Sequence, residues 1–399
     1  MNFRFNDELL LSEADRDLAK TSYPNVYFAL DHPDLRDTFR KIDRRANRSK
    51  KVSRWVGLAA LVFATLSLLT FPFALLLDSV VTPTVSQSST DQPISNTLFL
   101  TLGILGATFG LFALIFGNLG LGFGRVKRTW LQKRLIAERL RQWHAQYLIS
   151  HAVEIARVAS SPEDQTTWLE TRAIAFARFQ RNFIDQIGSE YTKYTDASAA
   201  AYSGQSIIDP TESDEFWIDP DWTKAASTRP KDVDPSALKE LFEALEETRL
   251  RGQIQYTNYV LSSDAKFWSS PAKQLHILGN LSYILVLLAF VSNLVALIAA
   301  ILVGVGVKGF PFDWEIMSSL AIAGAIVAVG ARAMLEGLRP QRETRRMQFY
   351  AAALNHARKS LAKARTHNKQ IEAFCLLERA SFDEMIEFLS SNERARFIL

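Results

Sequence analysis

The stretch WVGLAALVFATLSLLTFPFALLL, residues 55–77, decides the class of fold, because no charged residue interrupts it between Arg54 and Asp78. A bilayer core of about 30 Å needs about 20 helical residues to cross it, so this stretch predicts a membrane span. The uncharged runs at 97–124 and 277–307 are at least as long and predict a second and a third span. The chain is therefore predicted to be a membrane protein.

The fourth predicted span, residues 314–335, is weaker than the other three. Its uncharged part covers only residues 316–331, and Arg332 lies near its end. Arg332 can extend to the headgroups along its aliphatic stem or pair with Glu336 one turn later. A buried helical hairpin of a soluble protein is the alternative for all these segments, and it fits the fourth best. The pattern predicts an all-α membrane protein of two two-span helical hairpins, each flanked by long cytosolic helices.

Composition excludes several classes of protein. The 399 residues carry 46 Lys and Arg against 42 Asp and Glu, a net charge of +4 that is too small for a nucleic-acid-coating protein. The lone Cys375 excludes an intramolecular disulfide and a cysteine-based metal site. Apolar residues concentrate in the four stretches and charges lie between them, so a conventional soluble enzyme is excluded, and no nucleic acid partner is expected.

The basic residues predict the orientation in the membrane. Clusters of Lys and Arg lie beside span ends at 44–54, 125–134 and 339–346, whereas the loop 78–96 has none. Cytoplasmic loops carry the excess of Lys and Arg. We therefore expect a multi-pass protein of the cell (inner) membrane whose N-terminus and C-terminus are cytoplasmic. Residues 1–17 lack the apolar core of a secretory signal.

The plan of helix, hairpin and long helix occurs twice, which predicts an architectural duplication. The predicted parts are an N-terminal cytosolic segment 1–30, a first two-span domain 31–160, a cytosolic helix with a polar linker 161–234, and a second two-span domain 235–399. Asp234 before Pro235 is typical of an N-cap followed by proline in the first turn, and it predicts a helix that runs toward Trp268.

Apolar residues at helical spacing predict the faces that pack outside the spans. The first stripe is Ile136, Leu140, Trp143 and Tyr147. The second is Leu169, Ala173, Phe176, Phe183 and Ile187. The third is Tyr350, Leu354, Ala357, Leu361 and Ala364, and a second short helix follows it with Ile371, Phe374 and Leu377.

The sequence contains no motif for catalysis, a cofactor or a metal. His144 and His151 lie two helical turns apart, but no third or fourth ligand has a suitable spacing. A glycine-rich phosphate loop followed by Lys and Ser or Thr is also missing. We therefore expect neither an enzyme nor a bound cofactor.

Small and polar residues inside the spans are the candidate pore or helix-packing positions. Gly106 and Gly110 form a small-xxx-small pair, which lets helix backbones approach closely, either around a pore or within the hairpin. Ser282 and Asn293 lie eleven residues apart, about three turns, which predicts one shared face. They either line an aqueous path or join helices by hydrogen bonds. The other positions of this kind are Asn118, Asn280 and Arg332.

The polar linker contains an acidic stretch with aromatic residues, which is a candidate docking surface. Phe216, Trp217 and Trp222 lie among Asp and Glu residues, and exposed aromatic side chains of this kind favour a protein partner or the basic helices of a second copy. The alternative is a solvated loop whose aromatic side chains fold back onto the helices.

Two local patches and the overall plan resemble the SLATT domain, the SMODS and SLOG-associating two-transmembrane effector domain of bacterial conflict systems. The patch after the first hairpin is Trp130, Arg134, Ala137, Glu138 and Trp143, and the patch before the second is Arg249, Gln253, Tyr256 and Tyr259. The resemblance covers most of the chain except its first 30 or so residues and the linker near 198–234. The second hairpin has no clear copy of the patch with Trp and Ala-Glu.

The resemblance implies a tandem SLATT protein that acts in antiviral defence or abortive infection. Proteins of this family are thought to disturb the cell membrane, as pores, in response to a signal from a partner, often a nucleotide second messenger. The family brings no catalytic residues. The main hypothesis is therefore a homo-oligomeric, pore-forming effector in the lipid bilayer, and the alternative is a non-conducting membrane scaffold that recruits cytosolic partners.

Overall fold

A computed structural model describes residues 8–85, 92–122, 124–188, 191, 233–262, 265–305 and 314–393. These ranges are almost entirely helical and contain no strand, and four of the helices are long and apolar enough to cross a membrane. The predicted class, an all-α membrane protein with two helical hairpins, is confirmed. The helices are α1 Glu13–Ser22, α2 Tyr27–Leu30, α3 Pro33–Val85, α4 Gln92–Gly122, α5 Gly124–Ser150, α6 Ala152–Val158, α7 Pro162–Phe179, α8 Pro235–Leu245, α9 Gly252–Leu261, α10 Pro271–Gly304, α11 Trp314–Leu338, α12 Pro340–Lys363 and α13 His367–Glu393.

The four apolar helices α3, α4, α10 and α11 contain the four predicted spans. The largest difference is in α3, which has 53 residues and begins at Pro33, so the first span is the second half of a longer helix. More than half of residues 34–54 are Arg, Lys or Asp, and they hold no proline or glycine that would end a helix. The predicted loop 78–96 was too long, because α3 continues to Val85 and α4 begins at Gln92. Residues 86–91 and the predicted loop 308–313 lie outside the described residues.

Contacts divide the chain into two units that do not follow the sequence order. The three-segment unit comprises Met1–Ser49, Arg128–Ala265 and Arg342–Arg394. The four-span unit contains both hairpins, within Lys50–Lys127 and Lys266–Gln341. The contacts thus group the chain differently from the predicted parts 31–160 and 235–399, which mark where the repeated sequence plan begins and ends.

The core of the three-segment unit contains large apolar side chains from every segment. Leu140 of α5 is fully buried, as predicted, and Ile136 and Trp143 are each 6% exposed. In the stripe predicted for α7 and the turn after it, Phe176 and Phe183 are buried as predicted, whereas Ala173 is exposed and Leu169 only half-buried. The buried face consists of Trp168, Arg172, Phe176, Phe179 and Phe183.

A buried arginine explains the difference in α7. Arg172 donates from Nη1 to the carbonyl of Ala29 at 2.7 Å and from Nη2 to that of Asp31 at 3.0 Å. Its guanidinium also lies 5.0 Å from the Trp168 ring centroid. Buried polar groups are hydrogen-bonded. The two backbone carbonyls accept the hydrogen bonds of Arg172, so this charged residue is buried at a position that the apolar pattern assigned to the surface.

The C-terminal helices pack as predicted on the faces of Tyr350, Leu354 and Ala357 in α12 and of Ile371, Phe374 and Leu377 in α13. The prediction of a short final helix was wrong, since α13 has 27 residues. Its buried face continues through Phe382, Met385 and Leu389. The buried polar residues Glu378, Ser381 and Ser390 lie on this same face and interrupt its apolar pattern.

The start of α8 is confirmed. Asp234 accepts a hydrogen bond from the Ser236 amide at 2.8 Å, and Pro235 occupies the first turn. The helix changes to a π turn at Glu246–Arg251 before α9, and α9 ends at Leu261, short of the predicted Trp268. The π turn buries Arg249 and Leu250 together, although the two are adjacent in sequence.

Candidate functional site

The second hairpin is joined along one face of α10. The positions that are buried there recur at alternating spacings of three and four residues, the period of a left-handed helix pair. Gly324 of α11 lies against this face, because a Cβ atom added to it would be 3.4 Å from the Leu285 carbonyl oxygen and 3.5 Å from Cβ of Ala289. The buried positions of this face, named the inner seam, are Leu278, Ser282, Ala289, Ser292, Ala296 and Ala299.

A different face of α11 joins the two hairpins into one bundle. A Cβ atom added to Gly330 would lie 2.8 Å from Oγ1 of Thr65 in α3, closer than real side chains approach. The neighbouring buried positions on α11 are also small, with Ala328 and Ala333 less than 8% exposed. Small residues let helix backbones approach where lipid provides no hydrophobic driving force.

The predicted glycine pair packs inside the first hairpin. A Cβ atom added to Gly106 would lie 2.5 Å from Oγ1 of Thr70, and one added to Gly110 would lie 3.2 Å from Oγ of Ser67. Ser67 also donates a hydrogen bond to the Gly106 carbonyl at 2.8 Å. Gly106 is buried and Gly110 half-buried between α3 and α4, so of the two predicted uses this geometry matches packing within the hairpin.

Ser282 and Asn293 do not share a face, which corrects the prediction. Ser282 is 4% exposed in the inner seam, and its Oγ has no hydrogen-bond partner. Asn293 is exposed, and Ser292 takes the seam position beside it. The buried positions after Ser282 recur at intervals of three or four residues, at Ala289, Ser292 and Ala296, and the eleven-residue interval to Asn293 misses this series.

The other predicted positions lie outside the packed interior or outside the described residues. Asn280 is exposed and within 3.3 Å of the His276 ring nitrogen Nε2. Arg332 and Glu336 are both exposed, and the structure records no ion pair between them. The side chain of Asn118 is outside the described residues, and so are Phe216, Trp217 and Trp222 of the candidate docking surface.

A buried ion cluster lies at the centre of the three-segment unit. Arg249 donates from Nε and Nη2 to the two carboxylate oxygens of Glu378, at 2.7 and 3.1 Å. Its Nη1 donates to Glu8 at 2.6 Å. The side chains of Arg249 and Glu378 are 4% and 1% exposed, so this is a bidentate pair shielded from water.

The cluster extends from Glu8 into α5. The second oxygen of Glu8 lies 3.2 Å from Nε of Arg141, and Arg141 lies 3.6 Å from Glu138. Glu138 also forms an ion pair with Arg134 one turn earlier. Gln253 lies 3.5 Å from Glu8 and accepts a hydrogen bond from Tyr350 at 3.3 Å.

Burial and charge together set the pKa values in this unit. Burial alone would lower the pKa of Arg249, but Glu378 and Glu8 outweigh it and raise the pKa well above its usual value. Burial would raise the pKa of Glu138, and Arg134 and Arg141 reverse this and lower it. Burial raises the pKa of Glu378, and the charge and hydrogen bond of Arg249 offset this only in part.

The sequence singled out Arg249, Gln253, Arg134 and Glu138 only through the family resemblance, and it missed Glu8 and Glu378. A charged residue within an apolar helical face is the available signal, and Arg249 and Glu378 both provide it. Their pairing across 129 residues has no local signature in a single sequence.

Within the described part of the chain, no group of three His, Cys, Asp or Glu residues is arranged to hold a metal ion. A cavity of about 20 Å³ lies beside the ion cluster, lined in part by Glu8, His144 and Thr248, which is room for about one water molecule. No protein-family profile, curated protein or solved structure matches the chain.

Proposed function

We propose that this protein is a membrane effector of the SLATT type, which oligomerises and permeabilises the membrane of its own cell when triggered. The observation that carries the proposal is the four-span unit. Its interior is filled by small residues in direct contact, while its outer surface is made of large apolar side chains. Because small residues bring the described spans into close contact within one chain, the proposed ion path runs between copies of the chain.

The proposed topology has the support of the shared core of the three-segment unit. Residues from before, between and after the two hairpins pack in the same hydrophobic clusters. Segments that share a core lie on one side of a bilayer, so each hairpin returns to the side that it entered from. The clusters of Lys and Arg at 44–54, 125–134 and 339–346 make that side the cytoplasm of a bacterial cell.

The ion cluster is the proposed latch of the resting state. It ties together Glu8, Arg141 of α5, Arg249 of the π turn and Glu378 of α13, which come from all three segments of the unit. A trigger that binds the unlatched form more tightly shifts the population toward it by that difference in affinity. The proposed trigger is a signal that a partner protein makes. The family resemblance implies that this signal is a nucleotide second messenger.

A liposome assay tests the proposal without knowledge of the trigger. The purified full-length protein is reconstituted with a potential-sensitive dye, and Arg249→Ala replaces the trigger by leaving Glu378 unpaired. We expect the wild-type protein to hold the potential and the variant to dissipate it. The control is Arg251→Ala, because Arg251 lies in the same π turn but its side chain is 56% exposed.

Two outcomes contradict the proposal. If the Arg249→Ala protein inserts, stays folded by circular dichroism and holds the potential, the cluster is not a latch. If no variant and no added nucleotide produces a leak, the protein does not conduct and is better described as a membrane scaffold. Growth arrest on induced expression of the variant, but not of the control, is the expected result in cells.

A further inference from the structure

Asn293 is the feature of the four-span unit that packing within one chain does not explain. It lies near the middle of the uncharged run 277–307, its side chain is exposed, and the structure records no hydrogen bond for it. The hydrocarbon core contains no water to bond an amide, so a polar side chain at this depth has a protein partner or pays a large transfer cost.

Among the described residues, none is hydrogen-bonded to the exposed Asn293 side chain. The inner seam passes one residue earlier, through Ser292, so the Asn293 side chain is turned by about 100° around the helix and away from α11. By contrast, the exposed Asn280 lies one turn from His276, close to the start of the uncharged run, where water and headgroups are near.

Asn293 belongs to a second stripe at the spacing of a helix pair. Its neighbours occur at alternating intervals of three and four residues, and all of them are exposed. The stripe has large apolar residues around the amide and ends in the small residues Ala300 and Gly304, which allow a second helix to approach. Its members, named the outer seam, are Val286, Phe290, Asn293, Leu297, Ala300 and Gly304.

We propose that the outer seam binds the outer seam of a second copy of this chain, with the two Asn293 amides hydrogen-bonded to each other. A second copy inserted with the same topology presents Asn293 at the same depth, which no unrelated partner does automatically. An amide has both a donor and an acceptor, so two of them pair across a two-fold axis. A single asparagine in an apolar seam also fixes the register of a helix pair.

This inference rests on one part of the proposed function, that copies of the chain associate in the membrane. It does not require that the assembly conducts ions. The outer seam is the surface by which the copies associate. Interhelical hydrogen bonds between polar side chains stabilise association in membranes, and Asn is among the residues that form them.

Association in vesicles tests the contact directly. The full-length protein, labelled for energy transfer, is diluted into lipid vesicles and the apparent dissociation constant is measured. We expect Asn293→Leu to weaken association about tenfold and Asn293→Gln, which keeps the amide, to restore most of it. The matched control is Asn280→Leu, which removes an exposed amide from the same helix and leaves association unchanged.

Disulfide cross-linking between two copies tests the position of the outer seam in a protein that retains Asn293. In a Cys375→Ala background, Leu297→Cys lies on the outer seam, and Ile298→Cys lies one residue later, away from it. Both native side chains are exposed, at 57% and 44%. Oxidation in membranes is expected to yield a dimer of the Leu297→Cys protein and little dimer of the Ile298→Cys protein.

The proposal is overturned if Asn293→Leu associates as tightly as wild type, if both cysteines cross-link equally, or if the protein is monomeric at every density. Cross-linking only to a different protein overturns it as well. A dimer without ion leak contradicts the proposed function and supports this contact, whereas ion leak from a monomer does the reverse.

Discussion

The two units of this protein bury opposite kinds of residue. In the three-segment unit the interior is made of side chains such as Phe39, Leu131 and Phe179, each at most 1% exposed. In the four-span unit the most deeply buried residues include Ala299, Ser319 and Ala321, also at most 1% exposed, and many large apolar side chains, such as Phe71 and Phe290, are exposed. The solvent decides the difference, because apolar area gains about 25 cal/mol per Å² on leaving water and nothing comparable on leaving lipid.

The comparison shows what stabilises each unit. Where water is the solvent, volume and apolar area hold the helices together. Charged residues are found in the core with hydrogen-bond partners, as in the ion cluster and at Arg172. Where lipid is the solvent, stability comes from close approach of backbones and from hydroxyl groups that bond to them, as Ser67 does with the Gly106 carbonyl. The same kind of substitution is therefore expected to have effects of different size in the two units.

The largest effect is expected from truncating a leucine. Leu131→Ala, at a fully buried position of α5, is expected to cost about 3 kcal/mol of unfolding free energy, since it removes apolar contacts and leaves a cavity. Leu114→Ala in the second span, where the leucine is 65% exposed, is expected to change it by less than about 0.5 kcal/mol. Thermal unfolding of both full-length variants in the same detergent checks the pair. Equal losses would refute the contrast between the units.

Acidification is expected to destabilise only the three-segment unit. Burial, with Arg172 nearby, lowers the pKa of His32 to about 2 and that of His144 to about 3. Both therefore stay neutral in the folded protein, while the unfolded chain takes up protons below pH 6.5. Stability is complete above that pH and falls as the pH drops toward 3, by about 2 kcal/mol for each histidine at pH 5.

The variant His32→Phe is expected to lose its half of this dependence between pH 7 and pH 5. Trp143→Phe is the control, because Trp143 packs 5.8 Å from the His32 ring but does not titrate. It should lower stability equally at both pH values. Proteolysis of the full-length protein as a function of denaturant gives the free energies, and an unchanged pH dependence in His32→Phe would exclude this origin.

The smallest effect is expected from adding a single methyl group at a glycine of α4. Gly106→Ala is expected to cost about 1 kcal/mol, because the new Cβ atom would be 2.5 Å from Oγ1 of Thr70 and the helices would have to separate. Gly103→Ala, one turn earlier on α4, adds the same atom where nothing lies within 4 Å. It should be neutral or slightly stabilising. Unfolding in mixed micelles distinguishes the two, and similar values would show that α3 and α4 are not closely packed there.

The difference in solvent also decides which features of each unit the sequence predicts. The spans were predictable, since an uncharged run of about 20 residues has few other uses. Which face of a span is buried was not, because a span is apolar all round and the inner seam differs from its surroundings only in residue size. Thus Ser282 and Asn293 were expected on one face, and the structure buries only Ser282.

In the three-segment unit the helical faces were predictable but the ion cluster was not. The alternation of apolar and polar residues located the buried face of α5. It failed in α7, where Arg172 is buried and Ala173 exposed, because the partners of Arg172 are carbonyl groups of a distant segment. Long-range pairs such as Arg249 with Glu378 depend on the tertiary fold and have no signal in local spacing.

The interleaving of the two units has a consequence for biogenesis. Arg249 leaves the ribosome 129 residues before its partner Glu378, an interval of roughly 6 to 26 s at ordinary elongation rates. During that time the second hairpin must enter the membrane while the core of the three-segment unit is still incomplete. Premature termination inside α13 would therefore strand an inserted but unfinished polypeptide, the kind of product that membrane quality control degrades.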